Sequence, residues 1–472
     1  MMISIRFLVG VFLAVTLIVS VPAYGNEKAV NADEHAQVIV VGAGMAGMTG
    51  GLSLARKGID VILLEKEDTV GGKVYSPLLG GVAANLGAQY YFPGIHPIVD
   101  EYLKSLPVQE IEAGGFFWKG RVEKRMGELY APKAIAGDID RASEQMRRDF
   151  KRASKGKKFF FDVEPRNREW DRLEKMNSYE YLSRFPAHVY EFFKGEIGSE
   201  TGGNLRYLSA IVLVGWNGHE NQGRFILKGG NGVLMEKMKE DFVKAGGRIF
   251  FKSEVSKVSQ TPSSVIAECA DGRRYTAEYL IMATPAHVAK KIVSDLPAEK
   301  ARALGAVKYL PMIELGLHVK NFPKQSILVW DEDINAIVNQ TGPIAGEPNE
   351  GTVVSITITG PEMQKLGDEA LIERAAIVMK KISPEFDPGK DILAYSIKRW
   401  NKGVFTLTAS FESKYQKDLR APVGRIFFAG DYVNDPSLMG AAWAGSRAAD
   451  GILKIRGAKG GAIRQRSNSS HK

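Results

Sequence analysis

The stretch VIVVGAGMAGMTGG, residues 38–51, constrains this chain more than any other. Four branched apolar residues run straight into five glycines. Glycine costs folding free energy through its lost backbone entropy, so something must require bare backbone there. The pattern predicts a buried strand over Gln37–Val41, a glycine turn, an amphipathic helix over MAGMTGGLSLARKG and a second strand over Asp60–Leu64. Strand, helix and parallel strand make one βαβ unit. Within it, Gly42 permits the tight turn, Gly44 lets the backbone approach a pyrophosphate, and Gly47 lets the helix pack on the strand. Met45 and Ala46 open that helix, whose free N–H groups and dipole favour a phosphate. Glu65 ends the second strand, where a carboxylate holds ribose hydroxyls and disfavours a 2′-phosphate, and Lys66 follows it.

At 472 residues the chain exceeds one simple core, and two interleaved domains are the expectation. Lys and Arg number 63 against 54 Asp and Glu, a formal net charge of +9 that is modest for this length. The excess gathers at Arg147–Lys158 and at Lys454–Lys472. Solvated helix faces and a loose end account for it, with an anionic membrane surface or an acidic substrate as the sharper alternative. No aromatic-studded basic stripe accompanies it, which argues against nucleic acid. The single cysteine, Cys269, excludes an intramolecular disulfide and a cysteine-based metal site. It reads as buried filler. No two of the seven histidines stand at i, i+4, so no metal site is expected. Residues 1–25 read as a signal peptide or N-terminal anchor: Arg6 is followed by an apolar run from Phe7 to Val21 and by Ala23-Tyr24-Gly25. That predicts an exported or membrane-anchored protein.

Composition shifts divide the rest. Residues 26–36 are a polar linker, and 37–96 carry the βαβ unit. Residues 97–224 are charged, aromatic and mostly helical in pattern. Glycines and strands return over 225–290, residues 291–414 are mixed, and 415–456 resume the opening style. Residues 457–472 are a basic, flexible tail. The nucleotide-binding pieces are then 37–96, 225–290 and 415–456, and the two insertions form a second domain.

A second glycine pair, Thr69-Val70-Gly71-Gly72-Lys73-Val74, follows the ribose acid. With it the chain resembles the flavin-containing amine oxidase superfamily, which includes monoamine oxidases, protoporphyrinogen oxidase and carotenoid desaturases. The resemblance implies a Rossmann-like FAD-binding domain assembled from three chain segments, plus an inserted α+β substrate domain. It places Gly71, Gly72 and Lys73 on the pyrophosphate and ribityl chain. Gly87, Ala88 and Gln89 in ANLGAQYYFPGIHP match the segment that passes the flavin ring. SEVSKV places Val255 at the adenine, and LIMATP places Ala283 in the closing strand. RIFFAGD matches the C-terminal flavin motif through Gly430 and Asp431. A helix starting near Gly440 and Ala441 would aim its N-terminus at the pyrimidine edge, where hydride arrival leaves negative charge.

The family's amine oxidases carry a lysine near flavin N5. The corresponding stretch, YLPMIELGLHV, has none; Met312 and Glu314 fall there. Trp400 stands where many members place an aromatic beside the flavin, and Glu314, His96 and Tyr90 are candidate bases. The expected function is an FAD-dependent oxidoreductase dehydrogenating an amine C–N or a C–C bond by hydride transfer to N5, with oxygen or a quinone as acceptor. A desaturase-like or protoporphyrinogen oxidase-like action on a large apolar substrate is the second reading, and a non-catalytic flavin-binding protein the third.

Overall fold

A computed structural model describes residues 34–469 apart from 95, 112, 125–130, 157–165, 202–203, 219–222, 324–325, 331–333 and 340–350. The signal or anchor reading of residues 1–25 lies outside the described residues. Among those described, no helix is long and apolar enough to cross a membrane.

Among the described residues the main sheet has seven strands: β1 Glu34–Val41, β2 Val61–Leu64, β3 Arg248–Phe250, β4 Val255–Gln260, β5 Val265–Cys269, β6 Arg274–Met282 and β11 Ile426–Phe428. Its order is β4-β5-β6-β1-β2-β3, with β11 also paired to β6. The pairs β6–β1, β1–β2, β2–β3 and β6–β11 are parallel, whereas β4 and β5 turn back antiparallel. Val38–Val41 and Val61–Leu64 are buried on both faces, which is why these strands read as unbroken apolar runs rather than alternations. The register brings Val41, Leu64, Met282 and Phe428 to one edge. With Phe250 of β3 paired to Leu64, the chain leaves five parallel strands at a common carboxyl end, the place where open α/β sheets bind ligands.

Helix α1, Met45–Ala55, packs between this sheet, α2 (Gly232–Lys244) and α3 (Leu438–Ser469). The amphipathic expectation for it is corrected: every residue of α1 but Ser53 is buried, because α2 and α3 cover the face meant for solvent. Bare backbone makes this packing fit. A Cβ on Gly47 would stand 1.8 Å from the Gly42 carbonyl oxygen, and one on Gly445 would stand 2.1 Å from that of Ala46. Helix α3 starts at Leu438, ahead of Gly440, because the Ser437 hydroxyl accepts from the Gly440 N–H. It continues to Ser469, into the segment read as a tail, and no proline interrupts that run.

A second, antiparallel sheet holds β7 Tyr309–Val319, β8 Ile334–Asn339, β9 Thr352–Ile358 and β10 Ile392–Phe405, in the order β8-β9-β7-β10. Side chains alternate along β7. Ile313, Leu315, Leu317 and Val319 join an apolar cluster with Leu371, Val378 and Met379 of the helix Asp368–Ile382. Met312, Glu314, Gly316 and His318 occupy the other face. That face meets residues 79–89: a Cβ on Gly316 would lie 3.0 Å from Ala84 and Leu86 side chains.

Candidate functional site

The first turn is held by its own backbone and one acid. Gly42 has φ +101°, and a Cβ on it would come 2.8 Å from the Ala283 carbonyl oxygen. Ala283 itself donates to the Val41 carbonyl at 2.9 Å, tying the end of β6 to the end of β1. Glu65 is 7% exposed. Its Oε2 accepts from the Ala43 N–H at 2.6 Å and its Oε1 from the Glu67 N–H at 3.0 Å. Ser253 donates to the Glu65 carbonyl at 2.8 Å, which brings Val255, at the head of β4, to the same end of the sheet. Lys66 points away, paired with Glu67 at 3.0 Å on the surface.

The two glycine turns touch. Gly71 donates to the Ala43 carbonyl at 3.0 Å, and Gly44 and Gly71 form a parallel bridge. A Cβ on Gly72 would lie 3.2 Å from the Gly44 Cα. On Gly44 a Cβ would meet nothing within 4 Å. Glycine is thus needed by the fold at Gly42 and Gly47, but at Gly44 it leaves open space in front of the N-terminus of α1. Met45 and Ala46 form the first, buried turn behind it.

Lys73 carries the site across to the C-terminal motif. Its ammonium donates to Asp431 Oδ2 at 2.6 Å and to the Gly403 carbonyl at 2.9 Å. Asp431 Oδ1 also accepts from the Tyr432 N–H at 2.9 Å, while Gly430 before it takes φ +150°. Gly440 and Ala441 lie in the first turn of α3, both donating to Ser437. Glu65 and Asp431 are therefore joined through Ala43, the paired glycine turns and Lys73. The backbone of Lys73–Tyr75 pairs with Leu86–Ala88: Ala88 donates to the Lys73 carbonyl at 2.9 Å and Leu86 to that of Tyr75 at 2.8 Å. A Cβ on Gly87 would stand 2.0 Å from the Lys73 oxygen, so only glycine allows this strap.

Gln89 leads from the strap to β7. Its Nε2 donates to Glu314 Oε2 at 2.9 Å and to the Asn85 carbonyl at 2.9 Å. Thr357 Oγ1 donates to the same Glu314 oxygen at 2.9 Å. Burial pushes the Glu314 carboxyl up to about 8, against the pull of the Thr357 and Gln89 hydrogen bonds. Trp400 stands opposite Met312 in the β7–β10 pairing and donates from Nε1 to the Leu86 carbonyl at 2.8 Å. Tyr90 lies elsewhere, edge-on to Phe92 at 5.3 Å and under the Arg224 guanidinium at 5.0 Å. His96 is bonded to Ser446 at 3.1 Å and packed edge-on to Trp443 at 4.8 Å. Burial lowers it to about 4, so it is neutral at physiological pH. Cys269 is buried and pushed up to about 11, chiefly by desolvation, in keeping with an inert filler. Among the described residues no group of His, Cys, Asp and Glu is arranged to hold a metal.

Sequence reasoning missed several residues here. Asn231 is fully buried and donates from Nδ2 to the Ala88 and Gln89 carbonyls at 2.9 and 3.0 Å, fixing the strap from behind. Its only signal was its place in KGGNG. Thr357 and Asn85 gave none. Asp435 is 1% exposed, and burial raises its carboxyl well above the usual range against the pull of the Ser437 side chain.

An open space before a helix N-terminus, a buried acid one strand away and two bare turns back to back fit the pyrophosphate and ribose of a dinucleotide. Comparison with known proteins agrees. The family model described as flavin containing amine oxidoreductase matches residues 45–453. An L-amino-acid oxidase of Echis ocellatus is 26% identical over 455 residues, covering 84% of this chain and 84% of its own. The amine oxidase [flavin-containing] A of Sus scrofa is 24% identical over 485 residues, covering 92% and 88%. The solved structure of a wild-type putrescine oxidase bound to putrescine superposes with a TM-score of 0.74 at 17% identity, over 90% of this chain and all of the other (100%). That last likeness speaks to the fold.

Proposed function

This chain belongs to the flavin-containing amine oxidoreductase family and is an FAD-dependent oxidoreductase, and we propose that it oxidises an amine at the C–N bond with oxygen as acceptor. FAD, when bound, would supply the redox chemistry as the hydride acceptor. The protein's part is to hold the cofactor, orient the substrate and exclude water. In this reading Gly42, Gly44, Met45, Ala46 and Gly47 receive the pyrophosphate, Glu65 holds the adenosine ribose, and Val255 meets the adenine. Gly71, Gly72, Lys73, Ala283, Gly430 and Asp431 line the pyrophosphate and ribityl region. Gly87, Ala88 and Gln89 run beside the ring, and Gly440 and Ala441 present the N-terminus of α3 to its pyrimidine edge. Lys66, on the surface with Glu67, drops out of the set. The three segments 37–96, 225–290 and 415–456 then form the FAD-binding domain, and 97–224 with 291–414 the substrate domain. Strands from all three segments share the main sheet, whereas β7–β10 stand in a sheet of their own.

The observation that carries the reading is the Lys73–Asp431 contact at 2.6 Å. It closes a line of backbone turns and acids that begins at Glu65, as an elongated two-phosphate ligand requires. Mixing the yellow protein anaerobically with cyclohexylamine, benzylamine, putrescine and L-leucine tests the substrate class. Bleaching of the flavin, followed by hydrogen peroxide on admitting air, is expected. Flavin that stays oxidised with every amine but bleaches with a large polyene would reverse it in favour of a desaturase-like action. Reoxidation by quinones but not by oxygen would correct the acceptor.

A further inference from the structure

Glu314 is a buried acid with half of its carboxyl uncommitted. It is 2% exposed, on the face of β7 that meets residues 79–89. Oε2 accepts from both Gln89 and Thr357. Among the described residues Oε1 accepts from neither, and no cation pairs with the group. Its surroundings explain why. Residues 79–89 (LGGVAANLGAQ) and strands β8 and β9 (INAIVN and TVVSITI) carry no charged side chain. Lys398 stands opposite Glu314 on β10, but its ammonium lies over the rings of Tyr75 and Trp400 at 4.9 and 4.8 Å. Arg399 turns to Asp368, and Lys73 is held by Asp431 and Gly403. His318 shares the face further along β7. The helix Ala187–Thr201, packed against β9, brings Lys194 and Glu196, each with partners of its own. A buried carboxylate without its cation is costly, and the cost disappears when a ligand supplies the charge.

We propose that Glu314 receives the substrate's ammonium group and takes one of its protons on Oε1, so that the amine is oxidised as the free base. This rests on the amine-oxidase reading above. An N–H bond breaks with its electron pair left on nitrogen, and an O–H bond forms on Glu314. The substrate, R2CH–NH3+, becomes R2CH–NH2, and the carboxylate becomes the acid. The freed lone pair then stabilises the carbon from which the hydride leaves for FAD. Glu314 is thus a catalytic residue that also selects cationic amines.

Amine affinity measured against pH tests this without turnover. The probe is the perturbation of the bound flavin spectrum by benzylamine or cyclohexylamine, read before reduction in an anaerobic stopped-flow instrument. For the wild-type protein, affinity should rise about tenfold per pH unit until Glu314 is ionised, near pH 8, then level off, and fall above the amine's own pKa. In Glu314→Gln it should rise to the amine's pKa and show no alkaline fall. Thr357→Val removes one donor to the carboxylate but keeps the acid, and should move the first break to higher pH. FAD content and thermal unfolding confirm that each variant is folded. Identical profiles for wild type and Glu314→Gln, both following the amine alone, would overturn the proposal. So would a protein that holds FAD yet shows no spectral response to either amine. A protein that takes up no FAD would instead sink the cofactor assignment.

Discussion

Two neighbouring glycines should fail in opposite ways when given a methyl group. Gly44 sits at φ −72°, ψ −179°, a conformation alanine adopts freely, and its Cβ would touch no protein atom within 4 Å. Losing a glycine cap costs up to about 1 kcal/mol, and stiffening the unfolded chain returns about 0.4–1 kcal/mol, so the apoprotein should melt almost unchanged. The methyl nevertheless occupies the space assigned to the pyrophosphate. Overpacking costs roughly 1–3 kcal/mol, so FAD should bind roughly tenfold to a hundredfold more weakly to Gly44→Ala. Gly47→Ala puts its Cβ 1.8 Å from the Gly42 carbonyl oxygen, inside backbone that β1 and β6 hold in place. That variant should lose the fold, seen as a lower melting temperature or insoluble protein. Differential scanning fluorimetry of the apoproteins and FAD titration by flavin fluorescence read both effects. Wild-type FAD affinity in Gly44→Ala would refute the placement of the phosphates, and equal melting losses in the two variants would refute the packing argument.

Three further outcomes are expected. Lys73→Met should weaken FAD binding by about 1 kcal/mol, discounted because Lys73 is 39% exposed, and Asp431→Asn added to it should restore part of the loss; isothermal titration of the two variants checks this. Glu65→Gln weakens a charge-assisted bond to Ala43 and the grip on the ribose, and should raise the FAD dissociation constant about tenfold. In the fold Glu314 is pushed up to about 8, whereas an unfolded glutamate titrates near about 4.3, so the unfolded chain binds fewer protons between those values. Stability from this group is full below the lower value and is lost as pH rises through the upper one. Urea unfolding of Glu314→Gln should show a flatter loss of stability from weakly acidic to weakly alkaline pH than wild type, and parallel curves would contradict it.

The parts of the site that the sequence made legible are those where one residue type meets a backbone demand. Gly42 and Gly47 could be placed because a Cβ at either collides with the main chain. Glu65 could be placed because it ends the second strand of a local unit. Asp431 and Lys73 were each assigned from their motifs, but their contact joins residues 358 apart in sequence and depends on sheet order, which no local pattern encodes. The same holds for Glu314, whose partners come from a strap and from a neighbouring strand. Helix α1 departs from its amphipathic expectation for a related reason: α3, from the far end of the chain, covers the face that the local pattern leaves to solvent. Tyr90 and Glu314 were equal candidates in sequence, and only the pairing of Gln89 with β7 separated them.

A crystal structure of the FAD-loaded protein tests the whole arrangement at once. The pyrophosphate should lie between Gly44 and the Gly71–Gly72 turn, the adenosine ribose on Glu65, and the flavin ring beside Gln89 with Glu314 on its substrate side. A ring found at the Glu65 end, or density remote from the Lys73–Asp431 pair, would contradict it.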